Sequence, residues 1–394
     1  MIPLRLRSGT ARTRVLALLV LVLALLMVVL VVIPRRRRVG GPAIPPVARH
    51  PLKPLHPPFT ADRLALLADL KAQRFEALDA QLKAFQAQAE HDPTQEANAH
   101  FAFESFSNTN GWLGGPLEQW VTQSPGSYAA HLARAEYLFA AGARARGTRW
   151  ASLTSQQQFQ QMVSLFTEGV KEVNAALKLD PKLTDAYALL VEAAKTTKGP
   201  QACLIMASVG LRQVPASFTI RAYLMSCLRP RWGGSYGAMD NFARISQAFA
   251  GQNPRLAILK GSADADRADM LGRIPNDKDE VKHEVEAIGL FSKAITEGGD
   301  DAAFYSGRAK ALAAVRRDRD ALQDFQAADR LWPDTPATLV WIAYYLDAAG
   351  RHQDALKQLD FASQFAMPSS YDRRLRAQIE TELTGHMAQG PFGH

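Results

Sequence analysis

One spacing constrains the fold more than any other property of the chain. Ala287, Ala321 and Ala355 lie 34 residues apart, and so do Phe291, Phe325 and Leu359, and again Ala294, Ala328 and Ala362. Within each segment the three positions read small-xxx-large-xx-small, which an α-helix of 3.6 residues per turn places on one face. A single helix cannot bury such a face, so the period predicts stacked units that share one continuous core. Pro333 falls where one unit ends. The same period returns upstream, where Pro181 closes "LKLDP" and Pro215 closes "RQVP", again 34 residues apart.

Each of these segments resembles the second helix of a tetratricopeptide repeat. The fold this implies is all-α, a tetratricopeptide-like α-solenoid of stacked helix pairs. Between the upstream prolines, "TDAYALLVEAA" (184–194) reads as a first helix and "PQACLIMASVGLRQ" (200–213) as a second. Residues 62–93 read as another pair ending in Asp-Pro. From Phe59 onward apolar residues recur every three or four positions, and no run alternates as a half-buried strand would. Residues 106–126, rich in Gly, Pro, Asn and Ser, predict a loop with a short helix at 116–123, and "GRIPNDKD" (272–279) predicts a second break. The expected layout is a helical domain over 59–271, repeats over 272–384 and a tail over 385–394.

The charge is concentrated at one end. The formal charge of the 394 residues is +8, yet residues 1–53 hold ten of the 46 Lys/Arg and no Asp or Glu. The rest carries 36 basic against 38 acidic side chains, so a nucleic-acid role loses its main warrant. The basic residues bracket "VLALLVLVLALLMVVLVVI" (15–33), an apolar run that would span roughly 28 Å as a helix, about the hydrocarbon thickness of a bilayer. It is followed by "PRRRR" instead of a small-residue cleavage site, so the expectation is one transmembrane helix behind a basic tail (1–14), with the membrane a partner through 15–33. Basic residues flank both ends and nearly tie. The expected location is the inner membrane of a bacterium, single-pass, with the body on the periplasmic side, although the arginines at 35–38 resist translocation. A basic and proline-rich linker (34–58) follows, and the seven prolines of 40–59 predict an extended spacer holding the body away from the bilayer.

Catalytic signatures are sparse. GxxxxGK[ST], GxGxxG, GxSxG and HExxH do not occur. Among the nine histidines, His50, His56, His386 and His394 lie in linker or tail, His283 sits beside Glu284 and Glu286 on a helix face, and His131 and His352 lie in helical text without a spaced partner. The two cysteines, Cys203 and Cys227, lack zinc or CxxC spacing and read as a disulfide or as two buried thiols. No cofactor, metal or small-molecule ligand is implied, and the expectation is a protein without enzymatic activity. An enzyme acting on an envelope polymer is the alternative, and it would need Arg144, Arg229 and Arg231 to meet carboxylates in a closed cleft.

Two clusters stand out. In "ARARGTRWASL" (143–153), Arg144, Arg146 and Arg149 precede Trp150, and Gly147 is a natural helix stop with cations at the negative end of the dipole. In "RPRWGGSYGAMDNFA" (229–243), Pro230 ends the helix "TIRAYLMSCL" (219–228), Gly233 and Gly234 permit a tight turn, and Ser235 is placed to cap the next helix. Arg229, Arg231 and Trp232 remain as bracing or partner contacts, with Trp232 expected to pack into the corner under an arginine. Together these stretches resemble a bacterial family known only as a domain of unknown function with tetratricopeptide-like helices. Its members are similar in an Arg-Gly and Trp helix end followed by a Leu-x-Pro-basic-Trp-Gly-Gly-Ser corner. The matching positions are Gly147, Trp150, Leu228, Pro230, Arg231, Trp232, Gly233, Gly234 and Ser235, and the resemblance covers roughly 100–260. It implies no catalytic residue. The expected function is binding of a protein partner on a concave face, as an envelope adaptor or a toxin-neutralising protein.

Overall fold

The computed structural model describes residues 44–388 apart from 149–150 and 275–278. The basic tail, the 15–33 segment and Trp150 therefore lie outside the described residues. Seventeen α-helices follow one another among those residues. They are α1 (Arg63–Lys71), α2 (Phe75–His91), α3 (Glu96–Phe103), α4 (Gly114–Gln123), α5 (Tyr128–Arg146), α6 (Gln156–Leu179), α7 (Thr184–Thr197), α8 (Pro200–Gln213) and α9 (Phe218–Cys227). Next come α10 (Tyr236–Ser246), α11 (Ser262–Leu271), α12 (Glu280–Gly298), α13 (Ala302–Ala314), α14 (Asp318–Leu331), α15 (Pro336–Ala348), α16 (His352–Ala362) and α17 (Ser370–Ala388), the last running into the segment read as tail.

Small residues decide where paired helices meet. In the α5/α6 pair, Gly142 faces the ring of Phe166 and Gly169 faces that of Phe139, and a Cβ at either position would sit 2.7 Å from a ring carbon. The 34-residue pattern has the same physical origin. Ala287, Phe291 and Ala294 on α12, Ala321, Phe325 and Ala328 on α14, and Ala355, Leu359 and Ala362 on α16 are all buried. The chain is thus an α-solenoid of stacked pairs. Between α8 and α9 the stack is stapled by a Cys203–Cys227 disulfide, which settles the pairing that spacing left open.

The expected membrane location is corrected. Among the described residues no helix is long and apolar enough to cross a membrane. The 15–33 run on which that expectation rested lies outside them.

Helix α3 is the most enclosed of the helices in the first half. Seven of its eight residues are buried, so it has no solvent face, and it packs against α2, α5, α7 and α9. Its first residue, Glu96, accepts from Ser217 Oγ (2.5 Å), Phe218 N (2.7 Å), Thr219 N (3.0 Å) and Asn253 Nδ2 (2.8 Å). A carboxylate at the N-terminus of α9 satisfies the unpaired N–H groups there and complements the helix dipole. The solenoid also closes on itself. Asn108 donates to Gln364 O (2.7 Å), Asn110 to Ser363 O (3.0 Å) and Trp332 Nε1 to Glu104 Oε2 (2.8 Å), tying the first helices to the last.

The proline-rich segment differs most from its expected role. Residues 44–59 do not stand away from the body. They run extended along it, with Ile44 and Val47 against one apolar cluster and Leu52 and Leu55 against the next. Proline-rich backbone is extended whether solvated or bound, so composition could not separate a spacer from a strap.

Candidate functional site

The corner at 229–235 is built as a stop, turn and cap. Arg229 is extended, Pro230–Trp232 forms one 3₁₀ turn, and Gly233 takes φ +89°. Gly234 passes so close to the carbonyl of Leu228 that a Cβ would lie 2.0 Å from its oxygen. Ser235 accepts from Ala238 N (3.1 Å) and caps α10. The arginines turn inward: Arg229 Nε lies 3.3 Å and Arg231 Nη1 3.1 Å from the buried Asp266 carboxylate of α11, and Arg231 also reaches Asp269 (3.6 Å). Trp232 lies beneath Lys195 of α7, 5.2 Å from its ring centroid, so a lysine takes the place expected of an arginine. The corner thus braces α7 and α11 against the α9/α10 turn. It forms one wall of an open groove of about 480 Å³ floored by Phe218, Met225 and Phe304.

The other cluster sits apart from this corner. Helix α5 ends at Gly147 (φ +75°), as its position suggests. Arg144 donates to Met367 O (3.3 Å) and Thr109 Oγ1 (3.4 Å), while Arg146 donates to Gly147 O (3.0 Å) and lies over Phe159. Arg144 therefore helps close the solenoid and does not join Arg229 and Arg231. The convergence that the enzyme alternative requires is met by two arginines of three, in an open groove instead of a closed cleft.

A denser titratable cluster surrounds α3, and its members carry no sequence signature. His100 Nδ1 meets Asp185 Oδ1 at 2.5 Å, and Ser107 Oγ donates to Glu136 Oε2 at 2.5 Å. Burial alone would lower the His100 pKa, but the charge and hydrogen bond of Asp185 outweigh it and raise the value to about 9. Burial, reinforced by the Asp185 charge, lifts Glu136 to about 8. At neutral pH His100 holds its proton and Glu136 keeps its own, so the cluster ties α3 to α5 and α7 without stacking like charges. His131 and His352 also find carboxylates, Glu172 (2.6 Å) and Asp347 (2.7 Å), that the sequence did not flag.

Asp347, His352 and Glu382 bring one donor atom each within 4.8 Å of one another, a set that can hold a divalent cation. The His352–Asp347 separation is hydrogen-bond length, shorter than the roughly 3.3 Å between ligands around tetrahedral zinc. The arrangement is that of a hydrogen bond pinning α16 to α15.

An exposed apolar feature lies between α6 and α8. A cleft of about 510 Å³ is lined by Phe166 and Val170 of α6, Leu190 and Ala194 of α7, and Ala202 and Met206 of α8. Val163 (45% exposed), Leu204 (39%) and Ile205 (51%) lie on the two helices that flank it.

Residues 63–209 match the family model described as a domain of unknown function (DUF4034). The matched span contains α3, the cleft, Gly147 and Trp150, and it ends before the 228–235 corner. No curated protein matches the chain. Among solved structures it is similar to TTC0263, a thermophilic TPR protein of Thermus thermophilus, at 14% identity over 56% of this chain and 92% of that one, with a TM-score of 0.26. It is also similar to yeast Tom70, at 10% identity over 84% of this chain and 97% of that one, with a TM-score of 0.28. Both superpositions are loose, so the assignment of a solenoid rests on the helix pairs described above.

Proposed function

We propose that the chain is a helical-repeat adaptor that binds another protein, and that the cleft between α6 and α8 is the seat. The observation carrying this reading is the apolar cleft of about 510 Å³ lined in part by half-exposed Val163 and Ile205. Contiguous apolar surface of this kind on a folded protein marks an interaction site, and binding energy concentrates in pockets that exclude water. Arg229 and Arg231, engaged by Asp266, act as braces in this reading, with Trp232 as part of the corner.

A photo-reactive residue at Thr167, on the cleft wall, should capture a protein that Ile205→Asp no longer retains. Because Ile205 is half exposed, that variant should keep the wild-type melting temperature. Arg231→Ala should lower stability and leave capture intact. Unchanged capture by a folded Ile205→Asp variant would refute the assignment.

A further inference from the structure

Residues 44–59 make contacts of a kind that a packed spacer does not need. Arg49 pairs with Asp324 of α14 and adds the Asp320 carboxylate (3.3 Å) and carbonyl (3.1 Å). His50 Nε2 meets Asp300 Oδ1 at 2.8 Å, and the Lys53 N–H donates to Asp300 Oδ2 at 2.7 Å. Leu55 lies over Gly299. His56 meets the Leu331 carbonyl at 3.1 Å, and Phe59 stacks on Phe101 (4.2 Å) edge-on to Trp332 (4.8 Å). Basic side chains thus meet acids, an aromatic side chain meets an aromatic seat, and prolines keep the backbone extended between them.

The receiving side is built independently of this occupant. Asp324 is fully buried and already held by Arg308 Nε (2.7 Å) and Nη2 (3.1 Å), and Asp300 accepts from the Tyr305 hydroxyl (2.8 Å). Removal of the strap would leave neither acid orphaned. The strap has no helix or sheet of its own to lose, so another peptide of the same pattern could take its place at little conformational cost.

We propose that Asp300, Asp320, Asp324 and the Phe101–Trp332 ring pair form a binding track for an extended, proline-containing basic peptide. Residues 44–59 occupy it in cis, and a partner's segment of the same Arg-His, Lys-Pro and Phe chemistry competes for it. This site is separate from the α6/α8 cleft, so its fate does not decide that of the cleft.

The test uses the full chain and a fluorescent synthetic peptide of residues 44–60. A full-length Arg49→Ala/His50→Ala variant, with its strap loosened, should bind the peptide about tenfold more tightly than wild type in anisotropy titrations, since the tethered competitor acts at roughly millimolar effective concentration. Adding Asp300→Asn and Asp320→Asn should remove the gain. Should the loosened variant fail to fold, hydrogen exchange on wild type with millimolar peptide replaces it, and amides within 47–56 should exchange faster while those of α14 do not. A folded loosened variant that gains no affinity, or exchange that the peptide leaves unchanged, would overturn the proposal and leave the strap a structural strand.

Discussion

The repeats over 280–362 and the irregular half around α3 are both well buried, yet they are specified in different ways. In α12, α14 and α16 the core is chiefly alanine against phenylalanine or leucine, repeated at fixed spacing, with a buried Arg308–Asp324 ion pair between α13 and α14. Around α3 the core contains Glu96, Asn98, Glu136 and Asp185, each satisfied by partners far away in the sequence. A shape-filled core tolerates loss of volume in proportion to the cavity left. A polar core tolerates almost no change of chemistry, even at constant volume.

Two substitutions put that difference to a direct test. Phe325 is fully buried in α14, and Phe325→Ala should cost about 4 kcal/mol in urea unfolding as a cavity opens. Glu96→Gln alters no volume, but all four partners of Glu96 are donors, and an amide would present its own N–H groups to some of them. The expected loss is about 3 kcal/mol. A Glu96→Gln protein as stable as wild type would show that α3 is held by packing alone and would erase the contrast.

The disulfide is the next lever, because it links α8 to α9, the helix that follows it in the stack. Cys203 and Cys227 close a loop with a separation of 24 residues, and the chain-entropy model assigns such a crosslink about 3 kcal/mol. Cys203→Ala/Cys227→Ala should lower the melting temperature accordingly. A reduced protein that melts with the oxidised one would mean that the crosslink adds nothing to the packing already there.

This contrast also explains what could be read in advance. The expected helices at 184–194 and 200–213 lie within α7 (Thr184–Thr197) and coincide with α8 (Pro200–Gln213), because caps, prolines and periodicity are local signals. The corner was legible for the same reason, since proline, two glycines and serine each act on their own backbone. Helix α3 was not legible: "EANAHFAF" has apolar residues on every side because every side is buried, and no period arises. His100–Asp185 and Glu96–Ser217 join positions 85 and 121 residues apart, and nothing local marks one member for the other. The strap was missed because prolines specify an extended backbone and are silent on whether anything lies beside it.

The cluster around α3 should make stability depend on pH above neutrality. The folded pKa of His100, about 9, and of Glu136, about 8, both lie above their ordinary values. Both groups bind protons more tightly when folded, so their contribution is complete at low pH and is lost as pH rises through 8 and 9. Melting temperature should therefore fall between pH 6.5 and 9.5, and His100→Gln should flatten part of that slope. A wild-type profile that is level across this range would remove the proton from the account of how α3 is held.

The smallest effect expected is at the corner, and it separates bracing from binding. Trp232 is only half buried, with one face under Lys195, so Trp232→Ala should cost about 1–2 kcal/mol, less than a fully buried aromatic residue. Ser235→Ala, which removes one cap, should cost about 1 kcal/mol. Neither change touches the α6/α8 cleft or the strap track, so partner capture and peptide affinity should match wild type at temperatures where the variants stay folded. The reverse result, a Trp232→Ala protein with an unchanged melting temperature and no partner, would make Trp232 a contact residue and turn the corner from a joint into a surface. The fixed geometry of the corner argues for the joint. Gly234 leaves no room to shift, Arg229 and Arg231 are held by Asp266, and a ligand recruiting either arginine would have to leave that buried carboxylate with less of its counter-charge.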